Sequence, residues 1–166
     1  VILASLGHRR IATITGPRGN APAAARTEGY RRGLAEAGLE AHENLVVTGD
    51  FYRESGFVGL RRLLTRKDPP TAVFAASDEM AVGALLAARA AGLRVPDDLA
   101  VVGFDDIEVA SLVDPALTTV AQDKPGFGTA AAGALMAMLE RTTTPEPVLL
   151  PTKLVVRDSC GGRPAR

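Results

Sequence analysis

The sequence predicts an open, doubly wound α/β fold, and three observations carry that expectation. Short β-branched apolar runs alternate with longer helical stretches along the 166 residues. The runs recur at roughly 30-residue intervals, the length of a strand–helix–strand unit. They are also near-continuously apolar, which suits parallel strands covered on both faces. A closed eight-stranded barrel would need more strands than the chain supplies.

The elements follow in order. Val1-Ile2-Leu3-Ala4 reads as the tail of a helix that begins upstream, which would make this chain a fragment. Ile11–Thr15 is the first strand. Pro22 sits where a first-turn proline is tolerated, and Tyr30, Leu34 and Ala37 then form a helical stripe that stops at Gly38. Leu45–Thr48 is the second strand. Ser55 can cap the next helix, with the stripe Phe57, Leu60, Leu64. Ala72–Ala75 is the third strand. Ser77 can cap a helix that carries Asp78 and Glu79 in its first turn, where the helix dipole favours negative charge. Met80, Ala84, Leu85 and Ala88 give it an apolar face, and Gly92 stops it. Leu99–Phe104 is the fourth strand. Leu117–Ala121 runs to Gln122 and Asp123. Pro125 opens a last helix with Phe127, Ala131, Leu135, Met138 and Leu139. Thr142–Pro147 reads as a surface connector, and Gly161–Pro164 as a frayed tail.

Composition narrows the functions. Lys+Arg and Asp+Glu balance at 19 each, and no basic run appears, so a nucleic-acid-coating surface is disfavoured. No stretch reaches the roughly 18 apolar residues of a membrane span. One cysteine, Cys160, cannot form an internal disulfide, which favours a reducing cytosol. With no histidine nearby it reads as inert. His8 is one of only two histidines, too few for a His-based metal site or triad, and reads as a loop or strand-entry residue. There is no glycine-rich phosphate loop and no nucleophile elbow. No catalytic residue, metal or cofactor is expected.

In open parallel sheets, ligands bind beyond the carboxyl ends of the strands. Gly16-Pro17, Asp50-Phe51, Ser77-Asp78, Asp105-Asp106 and Gln122-Asp123 all fall there. Arg26 lies about a turn into the first long helix and can reach the same edge. Carboxylate, amide and guanidinium groups offer paired hydrogen bonds to adjacent hydroxyls, and an aromatic ring offers a face for C–H groups. Sugars present both. Asp and Ser after strands are also ordinary caps and turn formers. Of the pair Asp105-Asp106, one residue is expected to line the site and the other to cap the following segment.

Several of these stretches resemble lactose/galactose-repressor-type (LacI/GalR) transcriptional regulators. The resemblance lies in Leu6-Gly7-His8-Arg9-Arg10-Ile11-Ala12, Arg26-x-x-Gly29-Tyr30 and Gly49-Asp50-Phe51 with Ser55-Gly56-Phe57. It continues in Pro70–Ala81, Gly92–Leu99, Val102-Gly103-Phe104-Asp105-Asp106 and Leu117-Thr118-Thr119-Val120-x-Gln122, in one order over nearly the whole chain.

The resemblance implies a two-subdomain, periplasmic-binding-protein-like effector domain, of which this chain is the C-terminal part. Residues 6–117 would form the second subdomain, and 124–149 would return to the first. Residues 150–158 would cross back as a strand, and 159–166 would be a tail. A DNA-binding helix-turn-helix would lie upstream, so operator DNA would be met only through that missing part. The resemblance also implies that Arg26, Phe51, Ser77, Asp105 and Gln122 contact the effector. Ser77 departs from the asparagine of many sugar-responsive members, and being shorter it implies a weaker contact, a water-mediated one or one shifted to a different sugar. Val82, Leu112 and Val113 would lie at a homodimer contact, with plain core packing as the alternative for them.

The resulting expectation is a cytoplasmic, sugar-sensing domain of a transcriptional regulator, working by population shift. The alternative is a periplasmic-type sugar-binding protein that feeds a transporter, which would share the fold.

Overall fold

The computed structural model describes residues 2–140, 146 and 148–162. A short helix α1 (Ile2–Ser5) leads into β1 (Ile11–Thr15), α2 (Ala21–Glu36), β2 (Val46–Thr48), α3 (Arg53–Leu64) and β3 (Ala72–Ala75). The chain continues through α4 (Asp78–Ala90), β4 (Ala100–Asp105), α5 (Val109–Leu112), β5 (Thr118–Gln122), α6 (Lys124–Leu139) and β6 (Thr152–Val155). The strands form one sheet in the order β2-β1-β3-β4-β5-β6, parallel except for the β5–β6 pair. The order reverses direction at β1, which is the topology of a doubly wound sheet.

The central strands β1, β3 and β4 are largely buried because both sheet faces are covered there, whereas the edge strand β6 is mostly exposed. All five residues of β1 are buried. One apolar cluster joins Ile14, Val73 and Val101 to Leu60 and Leu63 of α3 and Met80, Ala84 and Ala88 of α4. A second, on the other face, joins Ile11, Ala72, Ala100 and Val102 to Leu3, Tyr30, Leu34 and Cys160. Helices α3 and α4 approach to backbone contact. A Cβ on Gly56 would overlap the Met80 backbone, and one on Gly83 would overlap the Arg53 carbonyl. Glycine at these two crossing points lets the backbones touch.

Several local expectations change. Ser55 does not cap α3: the helix starts at Arg53, and the Ser55 hydroxyl donates to the Tyr52 carbonyl and accepts the Asp50 N–H. Asn20, not singled out from the sequence, caps α2 by accepting the Ala23 N–H at 3.0 Å. Cys160 and Ser159 are not a tail. Both are buried, and the Ser159 hydroxyl accepts the Thr118 N–H and donates to the Val101 carbonyl. A polar neighbourhood in sequence misled that reading, because the segment after β6 folds back onto β4 and β5. Residues 163–166 of the expected tail, and all but Glu146 of the connector Thr142–Pro147, lie outside the described residues.

Helix α6 has the expected limits, with Asp123 as its cap, but it buries none of its residues. Phe127, Leu135, Met136, Met138 and Leu139 are all more than half exposed. A helix this apolar is uncovered within the described residues.

Candidate functional site

The carboxyl ends of β1, β3, β4 and β5 meet along one edge, and the site is built there. Arg26 projects from the second turn of α2. Its Nη1 donates to the Ala76 carbonyl, just past β3, at 2.5 Å. Its Nη2 lies 3.2 Å from Asp105 Oδ1 at the end of β4. Gln122, the last residue of β5, donates from Nε2 to the same carboxylate oxygen at 2.7 Å. Four elements thus converge on one arginine–carboxylate–amide chain.

Two aromatic rings flank the guanidinium. Its carbon stands 4.0 Å from the Phe104 ring centroid and 5.5 Å from that of Phe51, both within cation–π range. Phe51 follows β2 with φ 74°, a backbone region that suits turns rather than strands. Its ring lies against Gly16, where any Cβ would collide with it. The glycine after β1 therefore makes room for the aromatic after β2.

Asp105 and Asp106 also take positive φ, 116° and 50°. The two carboxylates part company as expected for neighbours in sequence. Asp105 turns to Arg26 and Gln122. Asp106 turns to Arg157, whose Nη2 lies 2.7 Å from its Oδ1, so the expected capping role is replaced by an ion pair. Burial pushes the Asp105 carboxyl above its usual range, while the Arg26 charge and the Gln122 bond pull it back down.

Ser77 is buried, and its hydroxyl is engaged both as donor and as acceptor. It donates to the Phe51 carbonyl at 2.9 Å and accepts the Met80 N–H at 3.2 Å, capping α4 as expected. Its reach is inward, so it supports the Phe51 turn.

Of the residues expected at a dimer contact, Val82 is only 6% exposed within this chain. Val113 is half-buried against the core, and Leu112 is 73% exposed.

Sequence reasoning missed Phe104, Lys124 and Arg157. Phe104 had a signal, since it precedes a site aspartate on the same strand end. Arg157 had none, because it reaches the site from 51 residues away in sequence.

The fold is an open α/β domain with polar and aromatic groups gathered beyond its strand ends, and comparison with known proteins places it in a family. The model of the periplasmic binding protein-like domain matches residues 2–160. The chain belongs to that family, in the form carried by effector-binding domains of lactose-repressor-type regulators. The HTH-type transcriptional regulator CelR of Thermobifida fusca is 46% identical over 158 residues, which is 95% of this chain and 46% of that protein. The solved CelR–cellobiose complex superposes with a TM-score of 0.90 at 45% identity, covering 95% of this chain and 48% of the solved one. A dimeric Lac repressor superposes with a TM-score of 0.87 at 34% identity, covering 95% and 57%. The chain thus spans about half the length of the curated relatives it matches.

Proposed function

We propose that this chain forms one wall of the effector cleft of a transcriptional regulator, and that the effector is a sugar. The observation that carries this reading is the Arg26–Asp105–Gln122 chain at the sheet edge, flanked by Phe51 and Phe104. It offers donors, an acceptor and flat apolar faces at one place, the combination that a ring of hydroxyls on a hydrocarbon frame requires. The likeness to a regulator solved with cellobiose supports a sugar and favours a regulator over a transporter's binding protein.

On this reading residues 6–117 form the second subdomain of the cleft, 124–149 belong with the first, and 150–158 cross back. The bare apolar surface of α6 supports that division, since a helix of this composition needs a covering partner. Sugar held between the subdomains favours one relative arrangement and so shifts the population competent for operator DNA. DNA contact belongs to a part of the regulator outside this chain. The domain acts in the cytoplasm, as a homodimer, and catalyses nothing.

The test is calorimetry on the intact protein, titrated with cellobiose first and then with a panel of mono- and disaccharides. A saturable heat with one of them, together with altered operator retention at the same concentration, is the expected result. If no sugar in the panel bound, the sugar reading would fail.

A further inference from the structure

We propose that Asp78 and Arg157 are positioning residues for the effector site: they hold the strained turn that presents Asp105. The inference rests on the reading of that edge as an effector site. Asp105 and Asp106 both occupy positive φ, where a side chain is crowded, and such a turn persists only where its surroundings hold it.

The first hold is Asp78, at the start of α4. It is 0% exposed, so it cannot itself reach a ligand at the open edge. One carboxylate oxygen accepts the Thr119 hydroxyl of β5 at 2.5 Å. The other accepts the Ile107 N–H at 2.9 Å, one residue beyond the strained pair. A Cβ on Gly103 would strike this carboxylate, so β4 is shaped around it. A carboxylate serving only the helix dipole could stay at the surface. Complete burial is costly unless the group is tied into its surroundings, and here the ties run to β5, which carries Gln122, and to the turn that follows Asp105.

The second hold is Arg157, just past β6. It pairs with Asp106 through Nη2 at 2.7 Å and donates from Nη1 to the Leu117 carbonyl at 2.8 Å. Its own N–H donates to Thr118 Oγ1 at 2.8 Å. Lys124 adds a bond to the Asp106 carbonyl at 2.8 Å. Asp105 and Asp106 share a rigid peptide plane, so freeing Asp106 or the Ile107 N–H lets the Asp105 carboxylate swing off Arg26 and Gln122.

The experiment uses the intact protein carrying Asp78→Ala, Asp78→Asn or Arg157→Met. In the ligand-free protein, hydrogen exchange at the Ile107 amide should quicken at least tenfold in Asp78→Ala and Arg157→Met. Amides of β1 and β3 should keep their wild-type rates. Asp78→Asn, which keeps an acceptor for that N–H, should stay within about twofold of wild type. With cellobiose as probe, Asp78→Ala and Arg157→Met should each weaken binding at least fivefold. In an Asp105→Ala background the same changes should have no further effect, because their influence passes through Asp105. Equal losses in both backgrounds would mean a merely structural role and would overturn the proposal. Wild-type exchange at Ile107 in Arg157→Met would overturn the part assigned to Arg157, and in a folded Asp78→Ala the part assigned to Asp78. If wild type did not bind cellobiose, that would count against the probe or the effector reading, and the exchange result alone would decide this proposal.

Discussion

Arg26 and Asp105 face each other at 3.2 Å with side chains only 15% and 23% exposed, so their charges meet largely out of water. A pair of this kind costs much to break, because removing one partner strands the other. Each group also has hydrogen-bonding capacity left for a ligand. Losing a charged hydrogen-bond partner in such a site costs about 1.5–3 kcal/mol, or ~10- to 150-fold in affinity. Arg26→Ala and Asp105→Ala should therefore each weaken effector binding at least tenfold by calorimetry on the intact protein. Far-UV circular dichroism should remain native for both. Wild-type affinity in Asp105→Ala would move the site elsewhere.

Close packing of α3 on α4 sets a second expectation. Gly56 and Gly83 sit where the helix backbones touch, so a methyl group at either position forces the helices apart. Overpacking of this sort costs about 1–3 kcal/mol. Gly56→Ala and Gly83→Ala should each lower the melting temperature by several degrees. Gly29→Ala is the control: it lies in α2 with open space beside it and should be neutral or mildly stabilising.

The strands and long helices were legible because each carries a local signal. The β1 and β3 runs, Pro22 at the head of α2 and Ser77 at the head of α4 all act within a few residues of themselves. The site edge was legible for a related reason, since the rule about strand ends needs only strand limits. Ser55 misled because a hydroxyl near a helix start can serve a turn as well as a cap. Arg157 and Ser159 were illegible: their partners lie 39 to 58 residues away and meet them only through the sheet. The positive φ of Asp105 and Asp106 at the end of β4 is announced by no local pattern.

Leu112 is the exposed member of the three residues proposed for the dimer contact, at 73%. An isologous interface places the same patch on both subunits, so one charge introduced there appears twice against itself. Leu112→Arg should shift the intact protein from dimer to monomer in sedimentation experiments, with little change in melting temperature. Val113 is a poorer probe, because it also packs on the core. An unchanged dimer would relocate the interface.

Ser77 yields a separate expectation about how the site is supported. Its hydroxyl caps α4 and also holds the Phe51 carbonyl. Losing a helix cap of this kind costs about 0.5–2 kcal/mol. Ser77→Ala should lower the melting temperature accordingly. It should also weaken sugar binding by loosening the Phe51 turn, and the loss should shrink in a Phe51→Ala background. Equal losses with and without the ring would assign Ser77 a direct contact instead.

Asp78 makes stability depend on pH in a definite direction. Burial raises its carboxyl above the ordinary 3.8, the Thr119 and Ile107 hydrogen bonds oppose that rise, and the nearby Asp105 and Asp106 charges add to it. The folded state therefore holds this proton more tightly than the unfolded chain does. The resulting contribution to stability is fully present below the unfolded pKa. It fades as pH rises through the raised folded value, above which an ionised carboxylate must be kept in the interior. Asparagine has nearly the same shape and no proton to lose. Its amide oxygen can accept the Ile107 N–H while its amide nitrogen meets Thr119. Wild type should therefore lose melting temperature relative to Asp78→Asn as pH is raised from about 3 towards 7, with the difference levelling off once Asp78 is ionised. Arg157→Met, titrated in parallel, keeps Asp78 and should show the wild-type direction of change. If wild type instead gained on Asp78→Asn over that range, the hydrogen bonds from Thr119 and Ile107 would outweigh burial. Asp78 would then be a carboxylate whose charge the fold prefers.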